Sequence, residues 1–208
     1  MGVDLDSACY VNKPEFGIEC VTKVVDAAIE NGVYVIIDWH SHNLRQEEAK
    51  EFFTQMATRY KGVPNVIYEV FNEPVEDSWE QVKSYSVEVI KTIRAIEPDA
   101  VILVGCPHWD QDIHLAADDP ITGYSNIMLH STFMPTPTDR LRDRADYALG
   151  KGLPIFVSEC AGMEASGDGP ISKEEWGNWL EWMQRHSISW VAWSLSDKDE
   201  TCSMLYPS

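Results

Sequence analysis

The chain has 208 residues, enough for one domain, residues 1–208, with a sizeable buried core. Its 34 acidic residues against 16 basic ones give a net charge of −18, which excludes nucleic acid and anionic membranes as partners and leaves a neutral or small one. Cys9, Cys20, Cys106, Cys160 and Cys202 lie far apart with no CxxC spacing, so they form neither a zinc ribbon nor a disulfide framework, and their odd number leaves at least one thiol unpaired. No apolar run approaches the ~18 residues of a membrane span, and no signal peptide opens the sequence.

From residue 16 onward, apolar runs of strand length alternate with segments of helical period, the pattern of βαβ units and a parallel sheet. A helix over 16–30 places Ile18, Val21, Val25 and Ala28 on one face and stops at Asn31-Gly32. Residues 33–39 form a strand apolar on both faces, followed by a helix over 45–60 carrying Ala49, Phe52, Phe53, Met56 and Tyr60. A strand over 65–71, a helix over 79–96 and a strand over 100–104 come next. A short helix is expected over 110–117, a strand over 126–130, a helix over 138–149 and a strand over 155–158. Ser172 and Glu175 have capping-box spacing at the head of the next helix, and the last strand covers 189–194. Six full strands, with Met1-Gly2-Val3 as the stub of another, fit either an open doubly wound sheet or a barrel that has lost its beginning; a complete eight-stranded barrel usually needs ~250 residues.

Polar residues collect where these strands end: Asp38 and His40, Asn72 and Glu73, Trp109, His130, Glu159, then Trp193 and Asp197. In a barrel, that end carries the active site because its loops converge on the axis. Glu73 follows an apolar strand and is held by Pro74, which stiffens the turn; Glu159 tips an almost wholly apolar strand, where an unpaired carboxylate would be desolvated. Two such acids suit acid/base and nucleophile roles at a glycosidic bond, with Glu73 protonating the leaving oxygen and Glu159 attacking the anomeric carbon. A retaining pair of this kind has carboxyls ~5–5.5 Å apart. His40 and His130 could orient the acids or bind sugar hydroxyls, and Trp193 could be a stacking floor or core. Trp176, Trp179 and Trp182 lie on a helix beside Leu180 and Met183, which points to packing against the sheet.

The motifs Ile36-Ile-Asp-Trp-His40, Asn65-Val-Ile-Tyr-Glu-Val-Phe-Asn-Glu-Pro74, Gly105-Cys-Pro-His-Trp109, Val157-Ser-Glu159 and Trp193-Ser-Leu-Ser-Asp-Lys198 together resemble bacterial endoglucanases of glycoside hydrolase family 5. The resemblance implies an α/β fold, a (β/α)8 TIM barrel, here N-terminally incomplete, and a retaining, cofactor-free and metal-free mechanism on β-1,4-glucan by a secreted or periplasmic protein. By motif, Glu73 resembles the acid/base, Glu159 the nucleophile and Asn72 the partner of the substrate 2-hydroxyl. His40 and His130 match the family's strand-end histidines, Trp109 and Trp193 its cleft tryptophans, and Lys198 its sugar-contacting lysine.

Two departures stand out. The family's arginine near the nucleophile comes from a strand that this chain lacks apart from its end at Met1-Gly-Val, and the edges of the 33–39 and 189–194 strands are then expected to lie unpaired, which invites a homodimer. The family also follows its sixth-strand histidine with Phe-Tyr, where this chain has Ser131-Thr132-Phe133, so either Thr132 replaces the tyrosine or the loop is rebuilt. Two other readings are an inactive glucan-binding fragment and, from His40-Ser41-His42 with His130 and Asp197, a metal-dependent amidohydrolase barrel; the latter leaves Asn72, Glu73 and Glu159 without a role.

Overall fold

The computed structural model describes residues 10–133 and 139–208. Six parallel strands lie side by side in the order in which they occur: β1 (Val35–Asp38), β2 (Val66–Glu69), β3 (Val101–Val104), β4 (Ile127–Phe133), β5 (Ile155–Cys160) and β6 (Trp190–Ala192). Helices connect them: α1 (Pro14–Glu30) precedes β1, and α2 (Gln46–Arg59), α3 (Trp79–Arg94), α4 (Pro107–Asp110) with α5 (Ile113–Asp118), α6 (Asp139–Gly150) and α7 (Lys173–Arg185) occupy the successive crossovers. Neighbours in sequence being neighbours in the sheet is the winding of a barrel wall, whereas a doubly wound sheet reverses its strand order at a switch point.

Local chemistry explains the element ends. Pro14 opens α1, where its missing N–H costs nothing, and at the other end the Asn31 side-chain amide donates to the Ala27 carbonyl at 2.8 Å before Gly32 turns with φ 66°. At the head of α3, Ser78 Oγ accepts from the Gln81 amide while the Gln81 side chain accepts from the Ser78 amide, a reciprocal capping box. The core lies between the sheet and these helices. Phe52, Phe53 and Met56 of α2 are buried beside Trp39, and Val82, Val89, Ile90 and Ile93 of α3 are fully enclosed. Full burial of each such side chain contributes about 1.5–3 kcal/mol relative to exposure. Trp179 stacks on Phe133 with centroids 3.7 Å apart, and Trp182 donates its indole N–H to Asp146, so both serve the packing expected of α7.

Four expectations need correction or completion. Ser172 is the N-cap residue of α7, but its side chain makes no capping hydrogen bond, so its capping-box spacing is not used; the box forms at Ser78, whose Ser-x-x-Gln spacing was equally visible. The expected helix over 110–117 is two short pieces, because His108, Trp109 and Asp110 take left-handed φ values of 55°, 53° and 59° as the chain turns Asp110 inward. Strand β4 runs past His130 to Phe133 and pairs Thr132 with Glu159 and Phe133 with Cys160 across a register shift. The expected stub at Met1-Gly2-Val3 and the first residue of the helix over 138–149 lie outside the described residues.

Among the described residues, β1 and β6 are each paired on one side only, and Val33, Tyr34, Trp190 and Val191 are exposed along those two edges. Cys20, Cys106, Cys160 and Cys202 are free thiols.

Candidate active site

The C-terminal ends of the strands bring five carboxylates and three histidines together. Just after β2, Glu73 is held by a backbone N–H to the Ser41 carbonyl at 3.4 Å. The neighbouring Asn72 is fastened by its backbone N–H to the Trp39 carbonyl at 3.1 Å. These bonds tie the Asn-Glu-Pro turn to the chain leaving β1. His42 donates from Nδ1 to the Glu73 carbonyl at 3.3 Å, and the same nitrogen lies 3.9 Å from Glu73 Oε2. Burial pushes the Glu73 carboxyl above the ordinary glutamate range, with His42 and His40 pulling against it.

Glu159, on β5, faces His40, whose Nδ1 lies 3.8 Å from Glu159 Oε1 and donates to Asp38 Oδ2 at 2.9 Å. Burial pushes Glu159 up to about 8; His40 opposes the rise, and the charges of Glu73 and Asp38 add to it. Burial disfavours a charge on His40 itself, but the bond to Asp38 and the field of Asp38 and Glu159 outweigh it and raise the imidazole. Trp193 lies parallel to the His40 ring, with an interplanar angle of 1° and centroids 6.1 Å apart; the Trp193–Ser194 peptide is cis.

Other expected site residues have distinct settings. Both amide atoms of the buried Asn72 side chain make no hydrogen bond among the described residues, leaving a donor and an acceptor next to Glu73. Trp109 is half exposed, and its backbone N–H donates to the Pro74 carbonyl at 2.9 Å, so the left-handed turn that presents this indole is anchored to the turn that carries Glu73. His130 is fully buried, with Nε2 donating to the Phe71 carbonyl at 2.9 Å and Nδ1 3.0 Å from Ser158 Oγ; it is placed to hold strands rather than to touch a ligand. Lys198 is exposed beyond β6, with its ammonium 3.7 Å from Glu200, and is not drawn into the carboxylate group. Thr132 pairs opposite Glu159 in register, yet its hydroxyl donates to Asp110 at 3.3 Å, so it does not serve the nucleophile as the family's tyrosine would.

Three participants were not singled out from sequence. Glu69 lies within β2 among apolar neighbours, 2% exposed, and an acid inside such a strand was a readable sign of a buried polar contact. Asp110 is completely buried; it accepts from the Cys106 amide at 2.7 Å and approaches His130 Nδ1 at 3.6 Å. Ser158, the residue before Glu159 on β5, is buried, and nothing in its type announces a polar contact. Burial pushes both Glu69 and Asp110 well above the ordinary carboxylate range.

One nitrogen or oxygen from each of Asp38, His40 and Glu159 falls within 4.8 Å of the others, so this trio has donors suited to a divalent cation. His42 turns to Glu73 instead, which separates the His40–His42 pair that an amidohydrolase reading requires.

Known proteins resemble this chain in sequence and fold. Residues 7–199 match the family described as Cellulase (glycosyl hydrolase family 5). Endoglucanase Z of Dickeya dadantii (strain 3937) is 40% identical over 210 residues, covering 100% of this chain and 49% of its own length. Endoglucanase A of Evansella cellulosilytica is 41% identical, covering 97% and 43%. The chain therefore spans about half the length of the curated relatives it matches. A solved structure from Cytophaga hutchinsonii superimposes with a TM-score of 0.96 at 42% identity, over 100% of this chain and 69% of that one. The catalytic domain of Thermobifida fusca endoglucanase Cel5A, in its E355Q form with cellotetraose, gives a TM-score of 0.90 at 29% identity, over 95% and 68%. The six-stranded wall is thus the greater part of a (β/α)8 barrel, and with its motifs matched almost from end to end the chain belongs to glycosyl hydrolase family 5, the cellulase family.

Proposed function

We propose that this chain carries the reacting carboxylates of an endo-β-1,4-glucanase that cleaves cellulose-type glucan by double displacement, with Glu73 as acid/base and Glu159 as nucleophile. The observation that carries this reading is the placement of two part-buried carboxyls on separate strand ends, each facing its own histidine, with Glu159 in the field of Glu73. Glu159 attacks the anomeric carbon while Glu73 gives its proton to the leaving oxygen; Glu73 then takes a proton from water as the glycosyl ester is hydrolysed. Asn72 offers its unpaired amide to a sugar hydroxyl, and Trp109 and Trp193 offer faces for sugar rings, with His40 orienting Glu159. The relative crystallised with cellotetraose supports a β-glucan substrate, and the bacterial endoglucanase relatives support a site of action outside the cell.

The test is release of reducing ends from carboxymethylcellulose by the wild-type chain, Glu159→Gln and Glu73→Gln. Each variant should lose about 10²–10⁴-fold in kcat, and the first product should keep the β-anomeric configuration by NMR. Equal release by wild type and Glu159→Gln would exclude hydrolysis by this pair.

One observation favours a second reading, a glucan binder with little turnover. At neutral pH a carboxyl pushed up to about 8 holds its proton, and a protonated Glu159 is no nucleophile. Cellotetraose binding by both wild type and Glu159→Gln, without measurable turnover by either, would establish that alternative.

A further inference from the structure

Beneath the two reacting acids lies a chain of hydrogen bonds that links their strands. Ser158 Oγ on β5 lies 3.0 Å from Glu69 Oε1 on β2 and 3.0 Å from His130 Nδ1 on β4. At the other ring nitrogen, His130 Nε2 lies 2.9 Å from the carbonyl of Phe71, which can only accept, so this nitrogen carries a proton; Glu69 Oε1 is its more distant neighbour, at 3.4 Å. Ser158 is next to Glu159, and Phe71 is two residues before Glu73. The imidazole therefore spans the gap between the strand end bearing one acid and the strand end bearing the other.

With the ring neutral, Nδ1 is an acceptor, and the hydroxyl proton of Ser158 must point to it. The hydroxyl then has no proton left for Glu69, so the 3.0 Å contact between Glu69 and Ser158 is a hydrogen bond only if the carboxyl supplies the proton. An ionised Glu69 beside a neutral ring would set two acceptors against one another somewhere in the chain, at a site where every member is buried.

We propose that Glu69 is a positioning residue that acts as a neutral carboxylic acid, donating to Ser158, which donates to His130, which donates to Phe71, so that one ordered strut sets the spacing of Glu73 and Glu159. The proposal rests on those two residues being the reacting pair. An imidazolium facing an ionised Glu69 would contain the same number of protons and is the competing arrangement. Burial weighs against that charge pair, since it drives Glu69 up and His130 down to about 4. The charged groups around it do not reverse this: Asp38, Glu159 and Glu73 all add to the rise of Glu69, and Asp110, 3.6 Å from His130 Nδ1, is itself driven upward by burial. Gly105 leaves the strut its room, because a Cβ there would lie 2.5 Å from the Phe71 carbonyl and 3.0 Å from His130 Nε2.

Two measurements on the full chain test the strut. In ¹⁵N-histidine NMR the resonances lost in His130→Asn should be those of a neutral ring protonated at Nε2, unchanged from pH 8 to pH 6; an imidazolium or an Nδ1-protonated ring in that range overturns the proposal. In Glu69→Gln the amide can donate as the neutral acid does, so kcat should stay within about 3-fold of wild type and both limbs of the pH–rate profile should hold within ~0.2 units. Removing a real negative charge would instead lower the pKa values of Glu73 and Glu159, so an acidic shift of half a unit or more also overturns it. Glu69→Ala should lose 10-fold or more in kcat with KM little changed. The NMR result stands even for a chain that turns over no glucan, so failure of the strut and failure of the hydrolase reading are told apart.

Discussion

His40 and His42 are separated by one residue, yet each serves a different acid, because the chain leaving β1 turns between them and the Asn72 and Glu73 amides bond to its carbonyls. The consequence is a pair of acids in which Glu159, beside His40, feels the charge of Glu73. Double displacement needs Glu159 ionised, so kcat/KM should rise as pH climbs toward 8, where Glu159 loses its proton. A pH–rate profile already flat below pH 6 would contradict this. Stability follows from the same groups. Glu159, Glu69 and Asp110 have raised pKa values, so the folded chain binds more protons than the unfolded one above about pH 4.5, and stability falls as pH rises from there toward 8. His130 works in the other direction: its depressed value costs stability as pH falls from 6.5 toward 4. Three acids outweigh one histidine over this range, so the melting temperature should fall from about pH 5 to pH 8, as thermal denaturation monitored by circular dichroism would show.

At the scale of elements, two helix caps with similar sequences behave differently. Ser78 exchanges hydrogen bonds with Gln81, whereas Ser172 makes none with its side chain. Ser78→Ala should cost about 1 kcal/mol and Ser172→Ala a few tenths at most, measured by urea denaturation; equal losses would show that the capping bond at Ser78 contributes nothing. The end of β3 is more sensitive. A methyl at Gly105 would meet the Phe71 carbonyl, Asp110 Oδ1 at 2.9 Å and His130 Nε2, none of them the far end of a flexible chain except in part Asp110. Gly105→Ala should cost about 1–3 kcal/mol and reduce kcat, since relief requires moving the backbone just before Asn72. These elements were legible from the sequence because their signals are local: period 3.6 for α2 and α3, apolar runs for the strands. The turn after β3 was not, since His108, Trp109 and Asp110 have no glycine to announce left-handed backbone, and long-range contacts with Pro74 and Thr132 join the local bonds to Cys106 in holding them there.

The described residues form a barrel wall with two open sides. Strands β1 and β6 each lack a partner on one edge among the described residues, and Tyr34, Val33, Trp190 and Val191 leave apolar surface along those edges. Unpaired backbone beside exposed apolar side chains is a template for association, so the 23.6 kDa chain should show a molar mass in light scattering that grows with concentration. Tyr34→Lys combined with Val191→Lys should return it toward the monomer, and a concentration-independent monomer in the wild type would remove the argument. The net charge of −18 opposes such association and is screened by salt, so the larger species should be favoured as ionic strength rises.

By itself the sequence determined the alternation of strands and helices, the strand ends that carry Glu73 and Glu159, and the motifs that place the chain in its family, because periodicity and turn chemistry act over a few residues. Tertiary structure alone decided which acids meet which bases. His40 goes to Asp38 and Glu159, His42 to Glu73, and His130 is withdrawn into the interior, fixed between Phe71 and Ser158. Apart from His40 and Asp38, those partners lie 28 to 119 residues apart in sequence, and they are brought within 3 to 4 Å only when the parallel register of the sheet is set. The protonation of the buried acids follows from that same closure, since burial among like charges, and not the type of residue, determines where each proton resides.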